Sequence, residues 1–175
     1  GELFYGTPGM MYSNGPITLR SGEYCTGATP PDGSSTWVVT NLGGIFRTNS
    51  LLTFSYSANT GTYLSSIWSS IESAGGSDRV YAVGHGGTVM KWLPADGQFE
   101  QVADPVVENP VHDYNSVYGL ANGELWIVGD NGVCRYFDGS EWRESNTGTS
   151  ENLYGVFVTP ATKRPPMKCI AAAKS

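Results

Sequence analysis

A stretch of twelve residues recurs three times in this chain, and this recurrence limits the possible folds more than any other feature. Trp37-Val-Val-Thr-Asn-Leu-Gly43-Gly-Ile-Phe-Arg-Thr48 aligns without gaps with Tyr81-Ala-Val-Gly-His-Gly-Gly87-Thr-Val-Met-Lys-Trp92 and with Trp126-Ile-Val-Gly-Asp-Asn-Gly132-Val-Cys-Arg-Tyr-Phe137. All three read aromatic, any, Val, small, polar, any, Gly, then an apolar run, and the aligned glycines are 44 and 45 residues apart. Asn-Thr-Gly-Thr occurs at 59–62 and again at 146–149, a separation of 87, or two periods. A third marker follows in the same phase: Leu64-Ser-Ser-Ile67-Trp68, Tyr114-Asn-Ser-Val117-Tyr118 and Leu153-Tyr-Gly-Val156-Phe157. Leu3–Tyr12 reads as a weaker fourth copy, with Gly9 only 34 residues before Gly43. A unit this small cannot bury an apolar face alone, so successive units must stack on one another.

Within a unit the apolar segments are short and rich in Val, Ile, Trp, Tyr and Thr. None sustains a 3.6-residue stripe, which disfavours helix. Hairpin dipeptides separate the segments: Asn14-Gly15, Asp32-Gly33, Asp96-Gly97, Asn122-Gly123, Asn131-Gly132 and Asp138-Gly139. Such pairs tolerate the two left-handed residues of a type I′ turn, so an antiparallel all-β chain with type I′ hairpins is expected. The unit around Trp126 reads as four strands, Asn115–Leu120, Glu124–Gly129, Val133–Phe137 and Ser140–Glu144. Four antiparallel strands in about 44 residues is the arithmetic of a β-propeller blade. A solenoid repeat is usually shorter, and a two-sheet sandwich needs no such period. The middle-strand aromatics Trp37, Tyr81 and Trp126 are expected between blades.

The expected organisation is a weak blade over 1–20, blades over about 21–62, 63–112 and 113–150, a closing strand over 151–160 and a basic Pro/Ala tail over 161–175. The end segments allow two readings. In one, the C-terminal strand pairs with N-terminal strands to close a four-bladed ring within the chain. In the other, the chain is part of a larger propeller completed elsewhere or by another chain.

Charge excludes some classes of function. Sixteen acids against ten bases give a net charge of −6 and a pI near 4.8, unlike a general nucleic-acid binder, whose affinity comes from cations at phosphates. All sixteen acids lie before residue 161, whereas Lys163, Arg164, Lys168 and Lys174 make the tail basic. That tail reads as a solvated linker or as an arm for an acidic partner. No apolar run approaches a membrane span. The chain opens on Gly1 without a signal-peptide pattern, as in a processed chain or an excised piece. Cys25, Cys134 and Cys169 have no zinc spacing, and their count allows one disulfide or three thiols. There is no Asn-x-Ser/Thr sequon.

VYAVGHGGTVMKW at 80–92 and LWIVGDNGVCRYFDGSEW at 125–142 resemble the Trp-Ala-Val-Gly and Asp-Gly-x-x-Trp repeats of bacterial secreted and surface β-propellers. That group is similar to the Asp-box (sialidase-type) and photosystem-assembly-factor propellers. The resemblance spans roughly 37–158 and is generic, so it implies fold and little more. It is also incomplete: Asp138 and Gly139 are adjacent, whereas a full Asp box separates them by one residue. The paired Gly-His and Trp-Asp of WD40 repeats are absent as a set, and Gly84-His85 stands alone.

Few residues suit chemistry. His85 takes the turn position that Asn41 and Asp130 hold in the sister units, so it reads first as a turn residue. Asp130-Asn131-Gly132 lacks the distal Glu of a calcium loop. Asp113, Glu124, Asp138, Glu141 and Glu144 are expected at strand ends and turns, and no arginine set recurs for a sialidase-type site. No cofactor or metal site is expected. Trp68, Tyr118 and Phe157, with His85 and Asp130, are the candidate binding residues, since aromatics can stack on sugars or fill protein pockets; the plainer alternative is that the three aromatics pack between blades. The expectation is a non-catalytic, secreted or cell-surface propeller that binds a protein or glycan. The alternatives are a fragment of a sialidase-like hydrolase and a structural subunit of a larger assembly.

Overall fold

The computed structural model of the protein describes residues 4–5, 12–13, 19–29, 36–48, 54–71, 78–102, 112–120, 122–158 and 170–173. A short antiparallel ladder joins β1 (Phe4–Tyr5) and β2 (Tyr12–Ser13). Three four-stranded antiparallel meanders follow. Blade I comprises β3 (Cys25–Ala28), β4 (Trp37–Thr40), β5 (Gly44–Thr48) and β6 (Phe54–Asn59). Blade II comprises β7 (Leu64–Ile71), β8 (Asp78–Gly84), β9 (Val89–Leu93) and β10 (Gln98–Gln101). Blade III comprises β11 (Tyr114–Gly119), β12 (Leu125–Gly129), β13 (Cys134–Phe137) and β14 (Trp142–Glu144). A last pair, β15 (Leu153–Phe157) and β16 (Ile170–Ala173), forms its own two-stranded ladder. Among the described residues the sole helical element is the single 3-10 turn Asp130–Gly132.

The three sheets stack face to face in chain order, which makes the architecture a propeller. Alternate residues of each second strand point to opposite neighbours. Trp37 and Val39 of β4 meet Leu64, Ile67, Val80 and Ala82 of blade II. One residue out of phase on β8, Tyr81 and Val83 meet Tyr114, Val117, Leu125 and Ile127 of blade III. Trp126 and Val128 of β12 meet Leu153 and Val156 of β15. Both faces of a second strand are therefore covered, and for this reason β4 and β12 are buried at every position. Trp37, Tyr81 and Trp126, the first residues of the repeat, each face the following blade.

The first strands β3, β7, β11 and β15 lie side by side, and the sheets fan outward from them. Each first strand pairs with its second strand through a register shift of one residue near its start. In blades I to III the extra residue sends its side chain across to the next blade. Thr26 Oγ1 donates to the Leu64 carbonyl at 2.5 Å, Ser65 Oγ to that of Tyr114 at 2.7 Å, and Asn115 Nδ2 to that of Leu153 at 3.2 Å. The following residue provides a second tie: the amides of Val117 and Val156 donate to Ser66 Oγ and Ser116 Oγ at 3.4 and 3.3 Å.

The aligned glycines sit in like surroundings. Gly43, Gly87 and Gly132 have φ of 81, 67 and 71° and lie in the turn between second and third strands, where the chain entering the next blade passes. Thr60 N donates to the Gly43 carbonyl at 2.9 Å, and Thr147 Oγ1 to that of Gly132 at 2.7 Å. In blade II, Gly87 N donates to the His112 carbonyl at 2.9 Å. The two Asn-Thr-Gly-Thr segments are thus the same device. Each Asn carboxamide accepts the amide of its own Gly, at 2.7 Å in Gly61 and 2.8 Å in Gly148.

Several expectations need correction. Asn131-Gly132 has the left-handed pair of a type I′ turn, with Asn131 at φ 56, ψ 32. Asp96, Asn122 and Asp138 do not have positive φ; only the glycine after each does. At two of these turns the side chain does the work instead. Asn122 Oδ1 accepts the Glu124 amide at 3.1 Å, and Asp138 Oδ1 accepts those of Ser140 and Glu141 at 3.0 and 2.9 Å. Asn14-Gly15 and Asp32-Gly33 lie outside the described residues. The alanines of the expected tail form β16, and β15 pairs with that strand and not with β1 or β2. Cys25 is an exposed thiol and Cys134 is buried between blade III and β15, so these two do not bridge; Cys169 lies outside the described residues.

Candidate functional site

The five candidate residues fall at opposite ends of the blades. His85 and Asp130 occupy turns next to where the first strands begin, whereas Trp68, Tyr118 and Phe157 lie four residues further along those strands, about 13 Å away at strand rise. They do not converge on one site.

Trp68 and Tyr118 face the element that follows them, blade III and β15 respectively. Trp68 is half-buried in the core between blades II and III, with its ring laid over Gly119, where a Cβ would stand 2.6 Å from Trp68 Cη2. Tyr118 packs into the core below β15, its ring 4.9 Å from that of Phe157. Phe157 is 53% exposed, because no further blade among the described residues covers the outward side of β15.

At the other end, four residues hold one structural position, each directly before a first strand: Tyr24, Tyr63, Asp113 and Asn152. Each of the first three offers its carbonyl to the amide of a second-strand turn residue: Tyr24 to Asn41 at 3.1 Å, Tyr63 to His85 at 2.9 Å and Asp113 to Asp130 at 2.9 Å. The side chains then diverge. The Tyr63 and His85 rings stack at 4.4 Å and 21°. Tyr24 is 55% exposed, and Leu42, the residue after the Asn41 that bonds its carbonyl, is also exposed. Burial first, and then the Tyr24 phenol, push the Tyr63 phenol above its ordinary pKa. His85 Nδ1 lies 3.8 Å from Asp113 Oδ2. The signal that could have found Tyr24 and Tyr63 was available: both directly precede the recurring first strand.

The acids here have structural duties. Asp113 Oδ1 accepts the Gly86 amide at 2.8 Å, and Asn152 Oδ1 does the same for Asn131 at 3.0 Å one blade on. Asp130 Oδ1 accepts from Asn115 Nδ2 at 2.8 Å, holding the side chain that ties β11 to β15. Glu144 pairs with the buried Arg135 at 3.0 Å. Asp138 and Glu141 share Arg143 at 3.0 and 3.4 Å. Hydrogen bonds from Glu141 and Ser140 hold the Asp138 carboxyl at about 2. Among the described residues no three His, Cys, Asp or Glu side chains gather in a metal-ligating group, and no helix is long and apolar enough to cross a membrane.

No protein-family model and no curated protein matches this chain. Among solved structures it is similar to YCF48 bound to D1 peptide, at 14% identity and a TM-score of 0.41 over 85% of this chain and 61% of that one. It is also similar to the extracellular domain of the one-component system BT4673 from B. thetaiotaomicron, at 15% identity and a TM-score of 0.40 over 78% of this chain and 25% of that one. The chain thus spans less than two thirds of each. The propeller assignment rests on the stacking of the three sheets.

Proposed function

We propose that this chain is a non-catalytic, glycine-rich binding propeller acting outside the cytoplasm, and that it takes a protein or glycan ligand at the Tyr24, Tyr63 and His85 end of blades I and II. The observation that carries this reading is the stacked Tyr63–His85 pair, at the same end of the blades as the exposed Tyr24. Ring faces with polar tips recognise sugar C–H faces and apolar peptide side chains alike. A scaffold of stacked sheets holds them in place at little entropic cost. The neighbouring carboxylates support a non-catalytic role, since Asp113 and Asp130 already serve backbone and side-chain donors of the fold.

The test is a glycan array and a display library of linear peptides, both probed with the purified chain. A ligand from either, titrated by calorimetry, is expected to bind Tyr24→Ala and His85→Ala at least tenfold more weakly, a loss of about 1.4 kcal/mol. Phe157→Ala, at the opposite end, retains the affinity. Unchanged binding in the first two variants, or turnover of a glycoside substrate by the purified chain, overturns the reading.

A further inference from the structure

We propose that the Tyr63–His85 stack and the Asp113 carboxylate form a site for one cationic side chain, an arginine in a basic peptide segment of a protein ligand. This rests on the binding surface proposed above and names what that surface selects. The imidazole joins the two parts of the site. It stacks on the Tyr63 ring at 4.4 Å, and its Nδ1 stands 3.8 Å from Asp113 Oδ2. The side chains of His85 and Asp113 are 46% and 39% exposed, so a ligand can reach both.

The two oxygens of Asp113 differ. Oδ1 accepts the Gly86 amide at 2.8 Å, which holds the carboxylate in place. Oδ2 receives no hydrogen bond among the described residues, since 3.8 Å from an imidazole nitrogen is beyond hydrogen-bond range. One blade on, the same position is Asn152, whose Oδ1 accepts the Asn131 amide at 3.0 Å. A carboxamide oxygen is therefore enough for this cap, and the fold does not need the charge at Asp113.

That charge decides between ligand classes. An anion laid against the rings would meet a fixed carboxylate. An apolar side chain would take water from Oδ2 and offer no donor in return. A cation suits both parts, since ring faces attract it through their quadrupole and the carboxylate through charge-assisted hydrogen bonds. Guanidinium suits them better than ammonium, because its plane can stack while its edge donates. The chain makes such a contact internally, where Arg47 Cζ lies 5.0 Å from the centroid of the Trp37 ring. The surrounding field has the matching sign. Glu23, Asp130 and Glu151 lie at this end of the blades, with Arg20 as the one base there among the described residues. Arg47, Arg79 and Arg143 lie towards the other end, and Arg135 is buried. A neutral glycan would gain nothing from this field.

The test is an NMR titration of the full chain with a blocked Gly-Ser-Arg-Ser-Gly peptide, and with the same peptide carrying neutral citrulline in place of the arginine. The Gly86 amide and the His85 ring report on the site. The arginine peptide is expected to bind roughly tenfold more tightly or better, through the charge-assisted bonds that citrulline lacks. Raising salt from about 50 to about 500 mM should weaken it several-fold. Asp113→Asn keeps an acceptor for the Gly86 amide, as Asn152 does for Asn131. Its thermal midpoint is expected to hold while the preference for arginine is lost. Equal affinity for the two peptides, or a preference that survives Asp113→Asn, overturns the cation assignment. If both peptides bind equally and His85→Ala abolishes both, the binding surface stands without the cation. No shift with either peptide also overturns the assignment, and the array and display screens then decide on the surface. If Asp113→Asn does not fold, the two peptides on the parent chain decide alone.

Discussion

Ser65 Oγ donates to the carbonyl oxygen of Tyr114, 2.7 Å away across the boundary between blades II and III. The donor is the extra residue of a strand irregularity, and the acceptor is the first residue of the neighbouring first strand. Thr26 with Leu64 and Asn115 with Leu153 repeat the relationship, so the blades are tied by the same atom-to-atom device at each boundary. Ser65→Ala leaves the Tyr114 carbonyl without this donor and is expected to cost about 1–2 kcal/mol. Urea unfolding should show a lower midpoint at unchanged slope, together with a fall in Tm of roughly 2–8 °C.

Gly132 and Gly61 share a left-handed backbone, φ 71° in each, but differ in surroundings. A Cβ at Gly61 meets nothing within 4 Å, whereas at Gly132 it collides with the Thr149 carbonyl. Gly61→Ala is expected to cost about 1 kcal/mol for conformation alone. Gly132→Ala should cost clearly more, about 3 kcal/mol, because the connection into β15 must shift as well. Denaturant titration of both variants gives the comparison, and equal losses would contradict the close approach of the Thr149 carbonyl to Gly132.

Trp68 and Phe157 are equivalent in the repeat and unlike in burial. Trp68→Ala empties part of the core between blades II and III and is expected to destabilise by about 3 kcal/mol. Phe157→Ala, half-exposed, should stay within about 1 kcal/mol. Thermal unfolding followed by near-ultraviolet circular dichroism separates the two.

Asp138 yields a pH prediction. Its carboxyl is held at about 2 in the folded chain, below the ordinary 3.8. A carboxyl with a depressed folded-state value stabilises the fold above the unfolded value, and this contribution drains away as pH falls from about 4 towards 2. Asp138→Asn keeps a side-chain acceptor without the charge, so its stability should fall less between pH 4 and pH 2 than that of the parent. Stability against pH, measured by urea titration, shows the difference as a shallower slope.

Much of the architecture was readable in the order of residues. The period, the strands and the inter-blade place of Trp37, Tyr81 and Trp126 follow from local patterning, because alternation along a strand and glycine at a turn act over a few residues. The type I′ turn at Asn131-Gly132 was legible for the same reason. The expectation failed at Asp96, Asn122 and Asp138, where glycine alone takes the left-handed position. The candidate site was less legible. Trp68, Tyr118 and Phe157 were visible as a recurring position, but the side of the sheet they face depends on the irregularity at each first strand's start, which reverses the alternation that follows it.

The amino-acid order by itself determined a four-stranded antiparallel unit of about 44 residues, since turn chemistry and strand alternation are short-range. Only the tertiary structure decided that His85 stacks on Tyr63 and lies beside Asp113, or that Asn115 ties β11 to Leu153. These partners sit 22, 28 and 38 residues apart, and no local preference specifies them. They meet because each sheet has two apolar faces to cover, and the next sheet in the chain is the nearest surface that can cover one of them.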